Sequence, residues 1–525
     1  MALVSRVMNI GFVSIYAYRP HVEYLVYLSK LLAQDGHKTF FFVCDASVPK
    51  CYSQLLKGHG KIRECPVCIL GGFRGYPVNR LYSIKSSSRK SLSEEILEAI
   101  VRSSAFTIHR VETNIDCESS AVKQTQRELF DSAEIIYGNT IDWIRENQLD
   151  GVVCFNGRMA LTRAITYTCQ QLDIPYITAE RTTFGDGLRL VPNGDCLSLK
   201  QDDRLHKHFS RKFLTLFQAK VAAKLAARRF LRQNVSEWRV YNQAAKCLTW
   251  PLPNSKQPKV LILPSSRCEF AYHDDYDCGW QDMTTAIDDI LTSLGVNHSS
   301  SILRCHPNWA EYIGRKTGTL SEQYYIDWAK DKGVYFIPSQ EKADTYSLMA
   351  EADIIIVNGS SCGFEAALLG KKVICIGAAF YREAGFVYLL KEQRDLEKLR
   401  LLESHDPIET VRRALRYIYT DAYRIAQYTD FVRPDTPTQY NYFEGANSSI
   451  IINMLKSGML SPNDTEVAED PSGEDIILKV VLRRNWKELV QWQAPAPKLY
   501  SDKVERQASL RWIEPVRELF PTGDR

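Results

Sequence analysis

Residues 352–377 read ADIIIVNGSSCGFEAALLGKKVICIG. The apolar run DIIIV is short and β-branched, as a buried strand requires, and Gly359, Ser360 and Ser361 break it. The following CGFEAALLG has helical composition and closes on Gly370, after which KKVICIG begins a second apolar run. Strand, tight turn, helix and strand in that order build a parallel pair covered by its crossover helix. The predicted fold class is α/β.

The same alternation continues outward. Upstream, KVLILPSS, SSILRCHP and VYFIP read as strands, separated by the helical stretches MTTAIDDILTSLG, QYYIDWAKDKG and DTYSLMAEA. The first half repeats the pattern, with strands in MNIGFVSI, KTFFFVCD, DGVVCFNG and PYITAER and helices in HVEYLVYLSKLLAQDG and MALTRAITYTCQQLDI. Between the halves, residues 204–246 are helical in composition, and the proline-rich LTWPLPNSKQPK breaks the chain before the next strand. At 525 residues the chain is too long for one core. We therefore expect two Rossmann-like domains, residues 1–250 and 251–430, and a C-terminal extension, 431–525. In that extension PNDTEVAEDPSGED reads as an acidic loop or linker.

Composition excludes several classes. Hydrophobic residues at 45% and charged ones at 24% are usual for a globular chain, and a net charge of +4 is too small to predict a nucleic-acid partner. No apolar run reaches about 18 residues. The N-terminal segment, interrupted by Arg6, Asn9 and Arg19, lacks a signal-peptide layout, so a cytoplasmic location is expected. Many cysteines sit in apolar contexts such as GVVCFNG and KVICIGAA, which predicts reduced thiols.

In open parallel sheets, ligands bind beyond the carboxyl ends of strands, where small residues let backbone N–H groups approach a phosphate. Three turns fall on that rim. Gly359, Ser360 and Ser361 open one helix, and Glu365, a turn further on, is placed for the hydroxyls of a ribose. His306 follows SILRC, with Pro307 fixing the turn that aims it at a departing phosphate. Ser265, Ser266 and Arg267, in LPSSRCEF, supply the third. Each has a plainer reading, as a helix cap, a solvated carboxylate or a structural imidazole. Their coincidence on one edge favours a nucleotide site.

Together the His306-Pro307 pair, SSCGFEAALLGKKVI, PSSRCEF and FNGRMALTRAITYTCQQLDIPYITAE resemble bacterial capsule polysaccharide biosynthesis glycosyltransferases of GT-B architecture, a group that includes the capsule Kdo transferases. The resemblance covers residues 5–400 or so. It implies two Rossmann-like domains facing across a cleft and a nucleotide-sugar donor as co-substrate, CMP-Kdo or a UDP-sugar. It implies an oligosaccharide or lipid-linked glycan acceptor, in the synthesis of a bacterial capsule or other surface polysaccharide. It also implies that His306 and Ser360 or Ser361 contact the donor phosphate, with Glu365 near its ribose. CMP-sialic-acid-using transferases and polyol-phosphate polymerases share the His-Pro and Ser-Ser elements. Polyol-phosphate transfer, nucleotide-sugar epimerisation and non-enzymatic glycan binding in capsule assembly are therefore the rival readings.

Inverting transfer needs a base from the first domain. Capsule Kdo transferases carry Glu-Asp-Gly after a strand introduced by Ile-Pro, whereas this chain reads IPYITAERTTFGDGLRL. Asp186 keeps the Asp-Gly pairing and Glu180 lies at the strand's end, so both are candidates. No Asp-x-Asp element stands at a strand end, and no catalytic cofactor is expected beyond the donor.

Two further segments carry expectations. CYSQLLKGHGKIRECPVC holds Cys51, His59, Cys65 and Cys68 with one two-residue gap, which suits either a structural zinc or thiols packed in a lobe. Cys44 competes with His59 as fourth ligand. RLHKHFSRKFLTLFQAKVAAKLAARRFLRQN combines basic residues with Phe and Leu at helical spacing, as a connecting helix or a peripheral contact with the inner membrane would.

Overall fold

The computed structural model describes residues 6–238, 244–253, 256–492, 503–513 and 515. In the first half, β1 (Asn9–Ser14), β2 (Lys38–Val43), β3 (Leu81–Ser83), β4 (Gly151–Phe155), β5 (Tyr176–Glu180) and β6 (Arg189–Pro192) form one sheet ordered 3-2-1-4-5-6. Its neighbours are parallel except β6, which runs antiparallel to β5. In the second half, β7 (Val260–Leu263), β8 (Ser301–Arg304), β9 (Tyr335–Ile337), β10 (Ile354–Val357), β11 (Lys372–Ile376) and β12 (Val387–Leu390) form a wholly parallel sheet ordered 12-11-10-7-8-9. Counted from its own first strand, it has the same order as the first.

The central strands form because both faces can be buried. Residues 260–263, 301–304 and 354–357 are buried throughout. Alternation divides them between two cores: Leu261, Leu263, Ile355 and Val357 enter one, and Val260, Ile262, Ile354 and Ile356 the other. Every strand read from the sequence is present. The short β3 and β6 and the edge strand β12 lie outside that reading.

Packing crosses the borders expected at residues 250 and 430. Helix Leu216–Phe230 opens with a capping box between Thr215 and Gln218. Its Ala219, Ala222, Ala223, Ala226 and Ala227 are buried with Leu261, Leu348 and Ala366 in the second core. In helix Lys200–Phe209, Leu205 and Phe209 are buried in the first. The basic segment thus serves as a connecting helix whose alanine-rich face is buried inside the protein, while Leu216 and Phe217 stay exposed. Residues 239–243 of the expected helical stretch lie outside the described residues. Among the described residues, no helix is long and apolar enough to cross a membrane.

Beyond residue 430 the chain returns to the first half. Helix Ser449–Ser457 places Leu455 so close to Gly151 that a Cβ there would lie 2.9 Å from it, and Arg506 Nη1 donates to the Leu70 carbonyl at 2.8 Å. The acidic stretch 462–475 is not a free linker. Asp464 accepts from Gln218 and Tyr419, and the fully buried Glu474 is paired with Arg412 and Arg416. Residues 493–502, 514 and 516–525 of the extension lie outside the described residues.

The carboxyl ends of the two sheets face one another across a cleft. Arg158, after β4, lies 3.7 Å from Glu269, after β7, and His273 meets Asp195 at 3.1 Å. Phe184 packs against Phe364, with ring centroids 6.0 Å apart.

Candidate active site

The order of the second sheet reverses between β7 and β10, and the crevice at such a reversal is where open α/β sheets bind ligands. A pocket opens there, walled by Leu263, Pro264, Arg304 and Tyr346 among others. His306, Pro307, Ser360, Ser361 and Glu365 all line it, although they come from the ends of two strands and from the helix after β10.

His306 is half-buried and caps the short turn Pro307–Ala310: its Nδ1 accepts the Asn308 N–H at 3.1 Å. A nitrogen that accepts carries no hydrogen, so the neutral ring holds its hydrogen on Nε2. Behind it Arg304, at the end of β8, is 3% exposed. Arg304 donates to the carbonyls of Cys305, Pro338 and Glu341, so a buried cation held by neutral acceptors adjoins the pocket.

Gly359 has φ +99°, which an L side chain would strain, and this lets the chain turn at the end of β10. Ser360 Oγ accepts the Cys362 N–H at 3.3 Å, and the Tyr381 hydroxyl donates to the Ser360 carbonyl at 2.5 Å. Gly363 is required for that approach, since a Cβ there would lie 2.1 Å from the Tyr381 oxygen.

Glu365 is buried, and its Oε1 accepts from Arg229 Nη1 at 2.9 Å and from the Tyr346 hydroxyl at 3.0 Å. Arg229 also grips Glu237, at 3.0 Å through Nε and 2.7 Å through Nη2. It comes from the last turn of Leu216–Phe230, where a cation is favoured by the helix dipole. Glu365 is therefore a fixed carboxylate in the pocket wall, and its plainer reading as a solvated helix residue is excluded. Arg229, Arg304 and Tyr346 escaped the sequence reading. Arg304, two residues before His306 on a strand, carried the one usable signal.

The third rim turn does not reach the pocket. Ser265 is tied to Asn358, through N–H to Oδ1 at 2.6 Å, and Ser266 Oγ accepts the Trp309 indole N–H at 2.7 Å. The Arg267 backbone N–H donates to Glu112 at 3.3 Å. These residues join β7 to its neighbours and to the first half, while Leu263 and Pro264 line the pocket.

The candidate bases occupy different surroundings. Glu180 accepts from Asn156 Nδ2 at 3.0 Å, from the Arg181 N–H at 3.0 Å and from His21 Nε2 at 3.2 Å. Burial opposes its charge, but His21, Arg181 and Asn156 outweigh it and hold the carboxyl below its usual range. His21 itself is kept neutral by burial, at about 3. Asp186 is half-buried, its carboxylate makes no hydrogen bond among the described residues, and burial raises its affinity for a proton against the pull of Arg433 and Arg228. Its loop reaches the donor side, because Phe184 lies against both Phe364 and Arg229.

Of the residues read as zinc ligands, His59, Cys65 and Cys68 have other partners. His59 Nδ1 faces Glu64 at 3.2 Å, Cys65 Sγ accepts from Gln54 at 3.3 Å, and Cys68 donates to the Ile15 carbonyl at 3.5 Å. Cys44, Cys51, Cys65 and Cys68 line a small hollow with Ile15, Val48 and Leu161. Burial pushes Cys44 up to about 12 and Cys68 to about 11, as packed protonated thiols. Among the described residues no three His, Cys, Asp or Glu side chains are arranged to hold a metal.

Two Rossmann-like domains facing across a cleft define a GT-B architecture. Residues 222–423, which include Arg229, His306 and the Ser360-Ser361 turn, match the model of the capsule polysaccharide biosynthesis protein family, bearing out that resemblance over this stretch. Among solved structures, the chain is similar to a Thermosulfurimonas dismutans KpsC, beta Kdo 2,4 transferase, at 18% identity over 58% of this chain and 87% of that one, with a TM-score of 0.36. The beta Kdo 2,7 transferase of KpsC from the same organism matches at 11% identity over 66% of this chain and 89% of that one, with a TM-score of 0.33. Methanocaldococcus jannaschii UDP-GlcNAc 2-epimerase, in complex with UDP-GlcNAc and UDP, matches at 12% identity over 76% and 94%, with a TM-score of 0.29. No curated protein matches the chain.

Proposed function

We propose that the protein is an inverting glycosyltransferase that moves a sugar from a nucleotide-activated donor, CMP-Kdo or a UDP-sugar, onto a bacterial capsule or other surface polysaccharide. The observation that carries this reading is the gathering of His306, the Ser360-Ser361 turn and the Arg229–Glu365 pair in one pocket at the second sheet's reversal point. The nucleotide occupies that pocket, with its phosphate against His306 and the serine turn and its ribose toward Glu365. The acceptor, an oligosaccharide or lipid-linked glycan, approaches from the first half.

In the reaction the acceptor oxygen bonds to the anomeric carbon as the bond from that carbon to the phosphate oxygen breaks, and the nucleotide leaves with the electron pair. Asp186 takes the acceptor's proton, the role its unoccupied oxygens and raised proton affinity suit. Glu180, whose oxygens are already engaged, holds the rim in shape. His306 donates from Nε2 to the departing phosphate, and the buried Arg304 offsets its charge, so these groups serve where other transferases use a metal.

Radiolabelled CMP- and UDP-sugars incubated with a capsular oligosaccharide test this. Label should pass to the acceptor, and His306→Ala should slow transfer by about 10² to 10³ with the fold intact. Conversion of the donor sugar without an acceptor would instead identify an epimerase.

A further inference from the structure

We propose that Arg110, a residue of the first half, is a positioning residue for His306, fixing the imidazole through Asn308. This rests on the reading of His306 given above. Arg110 ends helix Glu94–His109 at φ 52°, an uncommon conformation for a residue with a side chain, and it is 2% exposed. Its guanidinium crosses to the second half. Nη2 donates to the Asn308 side-chain oxygen at 2.7 Å and to the Asn308 carbonyl at 3.2 Å, and Nη1 donates to the Glu311 carbonyl at 2.8 Å.

All three acceptors belong to the turn that begins at His306 or to the residue that closes it. Asn308 is also the residue whose N–H occupies His306 Nδ1. One planar fork thus fixes the peptide that sets the imidazole's tautomer and direction. A Lys ammonium, a compact point charge, cannot reproduce the three fixed directions. The far side of the turn is held within the second half, by Trp309 on Ser266 and by the Gly318 N–H on the Trp309 carbonyl. Arg110 therefore couples seating of the two halves to the orientation of His306.

The test compares full-length wild type with Arg110→Lys, Arg110→Met and Asn308→Ala, each checked for folding by melting. In ¹⁵N-histidine NMR, the His306 signals are assigned by their loss in His306→Gln. Wild type should show a single Nε2–H tautomer. The Arg110 variants should show mixed tautomers and a kcat reduced about tenfold or more, with donor KM changed less than twofold. Asn308→Ala, which removes one acceptor and keeps the backbone N–H, should shift both in the same direction by less, and it decides the matter if the Arg110 variants do not fold. An unchanged tautomer and kcat in folded variants would overturn the proposal. If His306→Gln transfers normally, the reading of His306 fails first; if His306→Gln is inactive and the Arg110 and Asn308 variants match wild type, only this inference fails.

Discussion

Asp186 and Glu180 carry the same group on one stretch of chain, and their neighbours separate them. Asp186 has open oxygens and a proton affinity raised by burial, while Glu180 is ringed by donors that keep it charged and occupied. A base must be ionised to act, so transfer should rise with pH through a value above the ordinary carboxylate pKa near 4. Asp186→Asn should remove that limb and lower single-turnover transfer by about 10² or more, with nucleotide affinity unchanged. Glu180→Gln should keep appreciable transfer, and equal rates in both variants would refute the assignment. At this scale the sequence revealed His306, Ser360 and Glu365, because a strand end followed by a turn can be read locally. It could not reveal Arg229 or Tyr346, which reach Glu365 from other elements through tertiary packing alone.

Among the elements, the connection after helix Glu94–His109 joins the halves through buried polar groups. Beside Arg110 it carries Glu112, 2% exposed and accepting from the Ser321 hydroxyl at 2.6 Å and the Arg267 N–H at 3.3 Å. Burial raises its carboxyl to about 7, Ser321 and Arg267 pulling the other way and Asp116 adding to the rise. Because the folded value lies above the unfolded one near 4.3, its contribution to stability is complete below that value and is lost as pH rises through about 7. Melting curves of wild type and Glu112→Gln from pH 5 to 8 should diverge, wild type losing stability relative to the variant as pH rises. Parallel curves would show that Glu112 does not titrate there. Strands written as continuous apolar runs were legible, down to the three residues of β9, whereas β3, with Leu81 exposed and Ser83 half-buried beside Tyr82, shows no such run. Helix Leu216–Phe230 was legible as a helix but not as a core element. Lys220, Lys224 and Arg228 mark its polar side, and nothing local says what covers the other.

At the scale of the whole molecule, two sheets of one strand order face each other, and the chain crosses between them more often than its segments suggest. The tandem α/β architecture was readable because each half repeats strand and helix in alternation. The return of the chain to the first half after residue 430 was not, since a helix such as Ser449–Ser457 shows its apolar face without showing its partner. On this architecture the second half should hold a nucleotide at the reversal point of its sheet. Titration calorimetry of CMP, CDP, UDP and GDP into wild type and His306→Ala tests it most directly. One of these nucleotides should bind at one site per chain, and His306→Ala should weaken it about tenfold, the loss of roughly one hydrogen bond to a charged phosphate. Binding of none of the four, or binding indifferent to His306, would contradict it.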